Sequence, residues 1–294
     1  MILNLHYQDF KLIFTVFLFW ISIQFGQVVE DSIAYFMVLS LGIIHGANDL
    51  FILKKKVKVN ANFFQLIVTY LLLILACIIC FFVNSFVSLL LFVLLSAYHF
   101  GEQHFENKLN TPAWSRFSIF ITYGLLIFFM LFYANLSEVN QIVNDLTHQS
   151  FTKEFILYGM AINLTLLSVF FIIVYHRNFE LRIRLIKEIF YLALLLIVFK
   201  TTTLVFGFAI YFILWHSIPS IGDQIQYLSG SLNKKNMFSY FKKAGFIWIL
   251  SIILLLQLYF FMEKGSFSSA IFLVLFAVTA PHTWVMHQMK KTNG

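Results

Sequence analysis

Apolar residues run along this chain in long blocks, broken at fairly even intervals by short clusters of charge, Asn, Ser or Gly. A helix that spans a membrane needs about 20 mostly apolar residues. Ten blocks qualify: residues 12–29, 32–53, 62–83, 85–105, 117–136, 153–175, 185–200, 202–222, 239–261 and 267–289. The seventh is short, and the turn after it, Lys200 to Thr203, is tight. No fixed-period repeat or linker interrupts the series. The pattern predicts a single all-α domain over residues 1–294, a polytopic bundle of about ten transmembrane helices.

Composition supports the membrane reading. Of 294 residues, 61% are hydrophobic and 11% are charged, against roughly 25% charged in soluble domains. The net charge of +7 would point to nucleic acid in a soluble protein, but here its placement explains it. Taking loops after even-numbered helices together with both ends of the chain, 17 Lys and Arg fall on one side, Lys11 and Lys54 among them. Only Lys153, Lys200 and Lys264 fall on the other. Basic loops stay in the cytoplasm, so both termini are expected there and no nucleic-acid partner is expected. The first block is too long for a signal-peptide core and lacks a small-x-small cleavage site, so it reads as a span that stays attached.

Cys77 and Cys80 lie mid-block with no second pair and no polar setting, and are expected to be two small core residues on one helical turn. The 38 phenylalanines suit a polyene-lined cavity, and a compositional bias shared with Lys, Asn and Ile suits them equally.

Four short stretches place a histidine inside an apolar block, where a polar side chain is costly and usually functional. They are Ile44-His45-Gly46-Ala47-Asn48-Asp49, Tyr98-His99-Phe100-Gly101, Trp215-His216-Ser217 and Pro281-His282. All four blocks run from outside to inside. Each histidine comes 13 to 15 residues after its block begins, a descent of about 20 Å on a helix. Four imidazoles at one depth are the pattern of a metal site. Neutral imidazole is the commonest metal ligand, and a set without thiolate suits zinc, copper or iron.

Carboxylates follow at helical spacing: Asp49 four residues after His45, Glu102 three after His99, and Asp223 seven after His216. Each would share its histidine's face and accept the far imidazole proton. Gly42 and Gly46 bracket His45 at the spacing that lets a neighbouring helix come close. Pro219 and Pro281 sit beside His216 and His282, where a proline loosens the helix. His104 and His287 each follow a motif histidine by five residues, a turn of about 140°. His6, His148 and His176 fall in expected loops. Tyr98, Trp215 and Trp284 flank the histidines as core aromatics or as walls of a substrate channel.

These stretches, in this order, resemble the Brp/Blh family of membrane-embedded carotene dioxygenases, over about residues 40 to 287. The resemblance implies a non-haem Fe(II) site in a multi-pass protein of the cell inner membrane. It implies that O2 splits β-carotene at its central double bond into two all-trans-retinal molecules, without a reductase, for a possible downstream rhodopsin. His45, His99 and His216 match the family's ligands. A further family ligand falls four residues after the position of His216, where this chain has Ser220. The position usually acidic in the family, five after the second motif's histidine, is His104 here. The fourth ligand is therefore expected to have moved, to His104 or to His282. The rival from another class is a non-catalytic transporter, or a membrane protein that binds a retinoid or a metal without chemistry. A transporter needs a polar path to the outer face, and the outer halves of these blocks are nearly featureless.

Overall fold

Long apolar blocks give long helices. The computed structural model describes residues 2–56, 62–105, 109, 111–175, 179–261 and 267–290. Among them there is helix and no strand. The helices are α1 (Ile2–Gln24), α2 (Gln27–Lys56), α3 (Phe63–Val83), α4 (Ser85–Phe105), α5 (Ala113–Ala134) and α6 (Leu136–Thr147). They continue as α7 (Lys153–Tyr175), α8 (Phe179–Thr201), α9 (Leu204–Ser229), α10 (Lys234–Phe261) and α11 (Phe267–Lys290). Among the described residues seven of these, α2, α3, α4, α5, α7, α9 and α10, are long and apolar enough to cross a membrane. The chain is a multi-pass membrane protein on that ground.

Each of the ten predicted blocks overlaps one of these helices, but the boundaries differ in two places. The first block breaks at Gly26, whose extended backbone (φ −75°, ψ 177°) starts α2 at Gln27. The second difference is α6, in a stretch expected to be loop. It is amphipathic, with Val139, Val143 and Thr147 buried at i, i+4 and i+8. It is too short and too polar to register as a span. His148 follows it with a positive φ of 56°, a loop position as expected. His6 lies instead within α1, and His176 lies outside the described residues. Lys11, counted with the loop lysines, is a buried residue of α1.

Contacts divide the chain into two compact units. The first comprises residues 1–38, 97–140 and 150–217. Its α4 and α5 cross backbone to backbone. A Cβ on Gly101 would sit 2.0 Å from the Phe120 carbonyl oxygen, and one on Gly124 1.9 Å from that of Ala97. Only glycine fits there, and Ala97 and Gly101 form the small-xxx-small stripe that such a crossing requires. The free N–H groups that open α9 are met by carboxylates. Thr203 N–H donates to Glu30 Oε2 at 2.8 Å, Thr203 Oγ1 to Asp31 Oδ1 at 3.0 Å, and Leu204 N–H to Glu138 Oε2 at 3.1 Å. Burial raises the Glu138 carboxyl above the usual range, the Leu204 N–H opposes this, and Asp31 and Glu30 add to it.

The second unit comprises residues 39–96, 141–149 and 218–294. Ile52 and Leu53 of α2 pack with Val285, Met286 and Met289 of α11, flanked by Leu66 and Tyr70 of α3. Ile221 and Ile225 of α9 pack with Tyr240 of α10 and with Leu41 and Ile44. No residue of α3 is buried, so Cys77 and Cys80 are not core residues: Cys77 is half-buried, Cys80 is exposed, and both are free thiols. A helix that is apolar all round belongs against lipid.

Candidate metal centre

Two of the helices that carry motif histidines are irregular beside them. α2 widens into a π-helical turn at Val38–Gly42, three residues before His45, and loosens again at Ala47 and Asn48. α9 has a longer π-helical turn, Tyr211–Ser217, which contains His216. Pro219 offers no N–H and crowds the carbonyl four residues back, so a regular turn cannot run into it and the wider one forms. Such turns cluster at functional sites because they re-aim a side chain.

His99 and His216, both in the first unit, face each other with ring centroids 4.7 Å apart at 75°. Their surroundings are aromatic. Phe100 lies 4.6 Å from the His216 ring, and Phe212 stacks on it at 5.8 Å and 17°. Phe100 stacks in turn on Phe128 of α5. His99 and His216 are 1% and 2% exposed. The glycine-permitted crossing of α4 and α5 sets the depth and rotation of α4, and with it the position of His99.

The second unit presents His45 and His282 very differently. His282 Nδ1 lies 3.0 Å from both carboxylate oxygens of Asp49, and its Nε2 lies 2.8 Å from Nε2 of His45. Tyr70 Oη donates to Asp49 Oδ2 at 2.8 Å. Gln224 Nε2 donates to the His45 carbonyl at 3.0 Å and lies 3.4 Å from His45 Nδ1 and from Ser220 Oγ. Gln224 Oε1 accepts from Tyr240 Oη at 2.7 Å. His45 and His282 are 3% and 6% exposed.

This donor set suits a metal ion. A carboxylate on Nδ1 fixes an imidazole in the tautomer that leaves Nε2 free to bind, the usual arrangement at protein metal sites. Two nitrogens about 2.1 Å from one ion on adjacent coordination positions stand about 3 Å apart, close to the 2.8 Å between His282 and His45. His99 and His216 in the first unit and His45 in the second are each buried nitrogen donors of the kind that holds a metal.

The other predicted residues are placed as follows. Asp49 holds His282, although its spacing had pointed to His45. Glu102 is buried and accepts from Tyr98 Oη at 3.2 Å. Asp223 is half-buried on α9. His104 Nε2 pairs with Glu188 Oε2 at 2.7 Å, and its ring stacks on Tyr123. Trp215 is enclosed, its N–H donating to Thr15 Oγ1 at 3.1 Å. Tyr98 packs against Phe117 and Phe120, and Trp284 is 39% exposed on α11. Sequence reasoning missed Gln224, Tyr240, Tyr70 and Glu188. Only Gln224 carried a signal, a polar residue two helical turns after His216 and one after Ser220.

No curated protein and no solved structure matches the chain. A family model described as beta-carotene 15,15'-dioxygenase matches residues 36–290. That segment covers most of the chain and takes in all four histidine stretches, so the protein belongs to the beta-carotene 15,15'-dioxygenase family, a family of oxidoreductases.

Proposed function

We propose that this protein is a non-haem iron dioxygenase of the cell inner membrane. It cleaves β-carotene at the central double bond with O2, giving two molecules of all-trans-retinal. His45, His99, His216 and His282 together hold one Fe(II). The observation that carries this reading is the Asp49-backed imidazole of His282 aimed at His45, in a chain whose family acts on β-carotene. His282 rather than His104 is the fourth ligand, because the Nε2 of His104 is already engaged by Glu188. Ser220, at the position where the family has a ligand, instead shares the Gln224 amide with His45.

Iron bound by neutral imidazoles keeps its charge and open positions, which lets it bind and activate O2 beside the polyene. The remaining work falls to the chain. β-Carotene dissolves in the bilayer and reaches the centre sideways between helices. Phe100 and Phe212 give the His216 side an apolar, water-poor wall suited to a polyene. Asp49 holds the proton of His282 Nδ1 and balances charge. Cleavage of one carbon–carbon double bond to two aldehydes takes up both atoms of O2, so no reductase is needed. In the membrane α1, α8 and α11 join the seven apolar helices as spans, ten in all, with both termini in the cytoplasm.

Expression in a carotene-accumulating bacterium tests the proposal. The wild type bleaches the cells and yields retinal, and His45→Ala yields none and purifies without iron. His104→Ala keeps its iron. A His45→Ala variant that bleaches as well as the wild type overturns the metal reading, and a Soret band in the purified protein would replace iron-only chemistry with haem.

A further inference from the structure

Helix α1 lies ahead of the segment that matches the family, which begins at residue 36, and nothing above gives it a role in the reaction. It nevertheless grips the turn that carries His216 at three points. Tyr7 Oη donates to the backbone carbonyl of Leu214. Pro219, five residues after Leu214, has no N–H with which to extend the π-helical ladder to that carbonyl. The second and third points are on Trp215, the neighbour of His216. The Lys11 ammonium, in a residue only 4% exposed, lies over the indole at 3.9 Å and over the Tyr191 ring at 4.8 Å. Thr15 Oγ1 accepts the indole N–H at 3.1 Å and donates to the Lys11 carbonyl at 2.7 Å. The Tyr191 ring meets the indole edge-on at 5.0 Å and 76°.

A π-helical turn is soft, because its hydrogen-bond geometry is poorer than that of an α-helix and proline has removed a donor from this one. Such a turn needs an outside clamp to hold a side chain in one direction. Lipid-facing packing would not require a buried ammonium and a matched hydroxyl, each costly to bury without its partner. We infer that α1 is a positioning element of the metal centre: Tyr7 on Leu214, with Lys11 and Thr15 on Trp215, fixes the π-helical turn and thereby the direction of His216. This rests on the reading of His216 as a metal ligand.

The test uses the purified full-length chain and two readouts that need no turnover: anaerobic Fe(II) titration, and the visible d–d spectrum of the Co(II)-loaded protein. Lys11→Met combined with Thr15→Val is expected to raise the Fe(II) dissociation constant about tenfold, as loss of an outer partner of a ligand does, and to shift the Co(II) bands. Lys11→Arg combined with Thr15→Ser keeps a cation over the indole and an acceptor for its N–H, and should restore both. If the Met/Val variant keeps wild-type affinity and spectrum while His216→Ala loses both, α1 does not position the ligand. If His216→Ala itself keeps both, the metal reading fails first. Should the double variant aggregate, Thr15→Val alone preserves side-chain shape and carries the same outcomes.

Discussion

The two units each supply a pair of facing histidines, and they hold them by different physics. In the first unit His99 and His216 are fixed by shape: a backbone-to-backbone helix crossing, Phe100, Phe212 and a clamped π-helical turn. In the second, a hydrogen-bond network holds His45 and His282: Asp49 accepts from His282, Gln224 donates to the His45 carbonyl, and Tyr70 and Tyr240 donate to Asp49 and Gln224. In the second unit the hydrogen bond to Asp49 chooses the tautomer of His282 as well as its place. In the proposed reading, the first unit's pair offers apolar walls suited to a polyene, and the second unit's pair carries the charge balance.

The contrast is sharpest at the glycines. Gly124→Ala would drive a methyl to within 1.9 Å of the Ala97 carbonyl oxygen, so α4 and α5 must separate. Overpacking of this kind costs about 1–3 kcal/mol or more, and it displaces His99. Gly46→Ala places its methyl 3.8 Å from His282 Nδ1, an ordinary contact, and removing a helical glycine gains up to about 1 kcal/mol. Thermal unfolding in detergent should show opposite signs for the two substitutions. Equal destabilisation would mean that the second unit is held by close packing too.

A smaller effect separates the ligand partners. Asp49→Asn removes the charge behind His282 and is expected to weaken metal binding about 10–100-fold with little change in fold. Phe212→Leu, the matching change on the apolar side, should leave metal affinity within about twofold and instead raise the KM for carotene. Metal titration and steady-state kinetics on the two variants check this. A Phe212→Leu variant that loses metal as Asp49→Asn does would erase the distinction between the two shells.

Much of this was legible in the sequence, for physical reasons. Lipid demands long apolar helices, so the blocks could be read directly. Buried histidines stand out in hydrocarbon, so all four could be singled out from their blocks alone. Azimuth was harder to read. Asp49 at i+4 shares a face with His45, yet α2 loosens at Ala47 and Asn48, and the carboxylate turns to His282 on another helix. Partners distant along the chain, such as Glu188 for His104 or Tyr70 for Asp49, leave no spacing signal at all. Helix α6 was missed because a short amphipathic segment between two long apolar blocks looks like a polar loop. The π-helical turns were legible only as irregularity, through Pro219 and Gly42, not as a particular geometry.

The smallest expected effect tests the edge of the polar shell. Tyr70 on α3 reaches the centre through Asp49 Oδ2, at 2.8 Å. Both Asp49 oxygens are also within reach of His282 Nδ1, so Tyr70→Phe leaves the carboxylate bonded, although with less of its charge satisfied. A hydrogen bond to a charged group contributes about 1.5–3 kcal/mol, and most of that loss falls on stability, because the carboxylate is buried whether or not metal is bound. The share reaching the metal is the change in Asp49's hold on His282, expected as a two- to fivefold weakening, about 0.4–1 kcal/mol. The order of loss should therefore be Asp49→Asn above Tyr70→Phe above Phe212→Leu in metal affinity, with Tyr70→Phe below Phe212→Leu in its effect on carotene KM. If Tyr70→Phe instead equals Asp49→Asn in metal affinity, the phenol rather than His282 sets the state of the carboxylate, and the second unit's network is centred one residue further out.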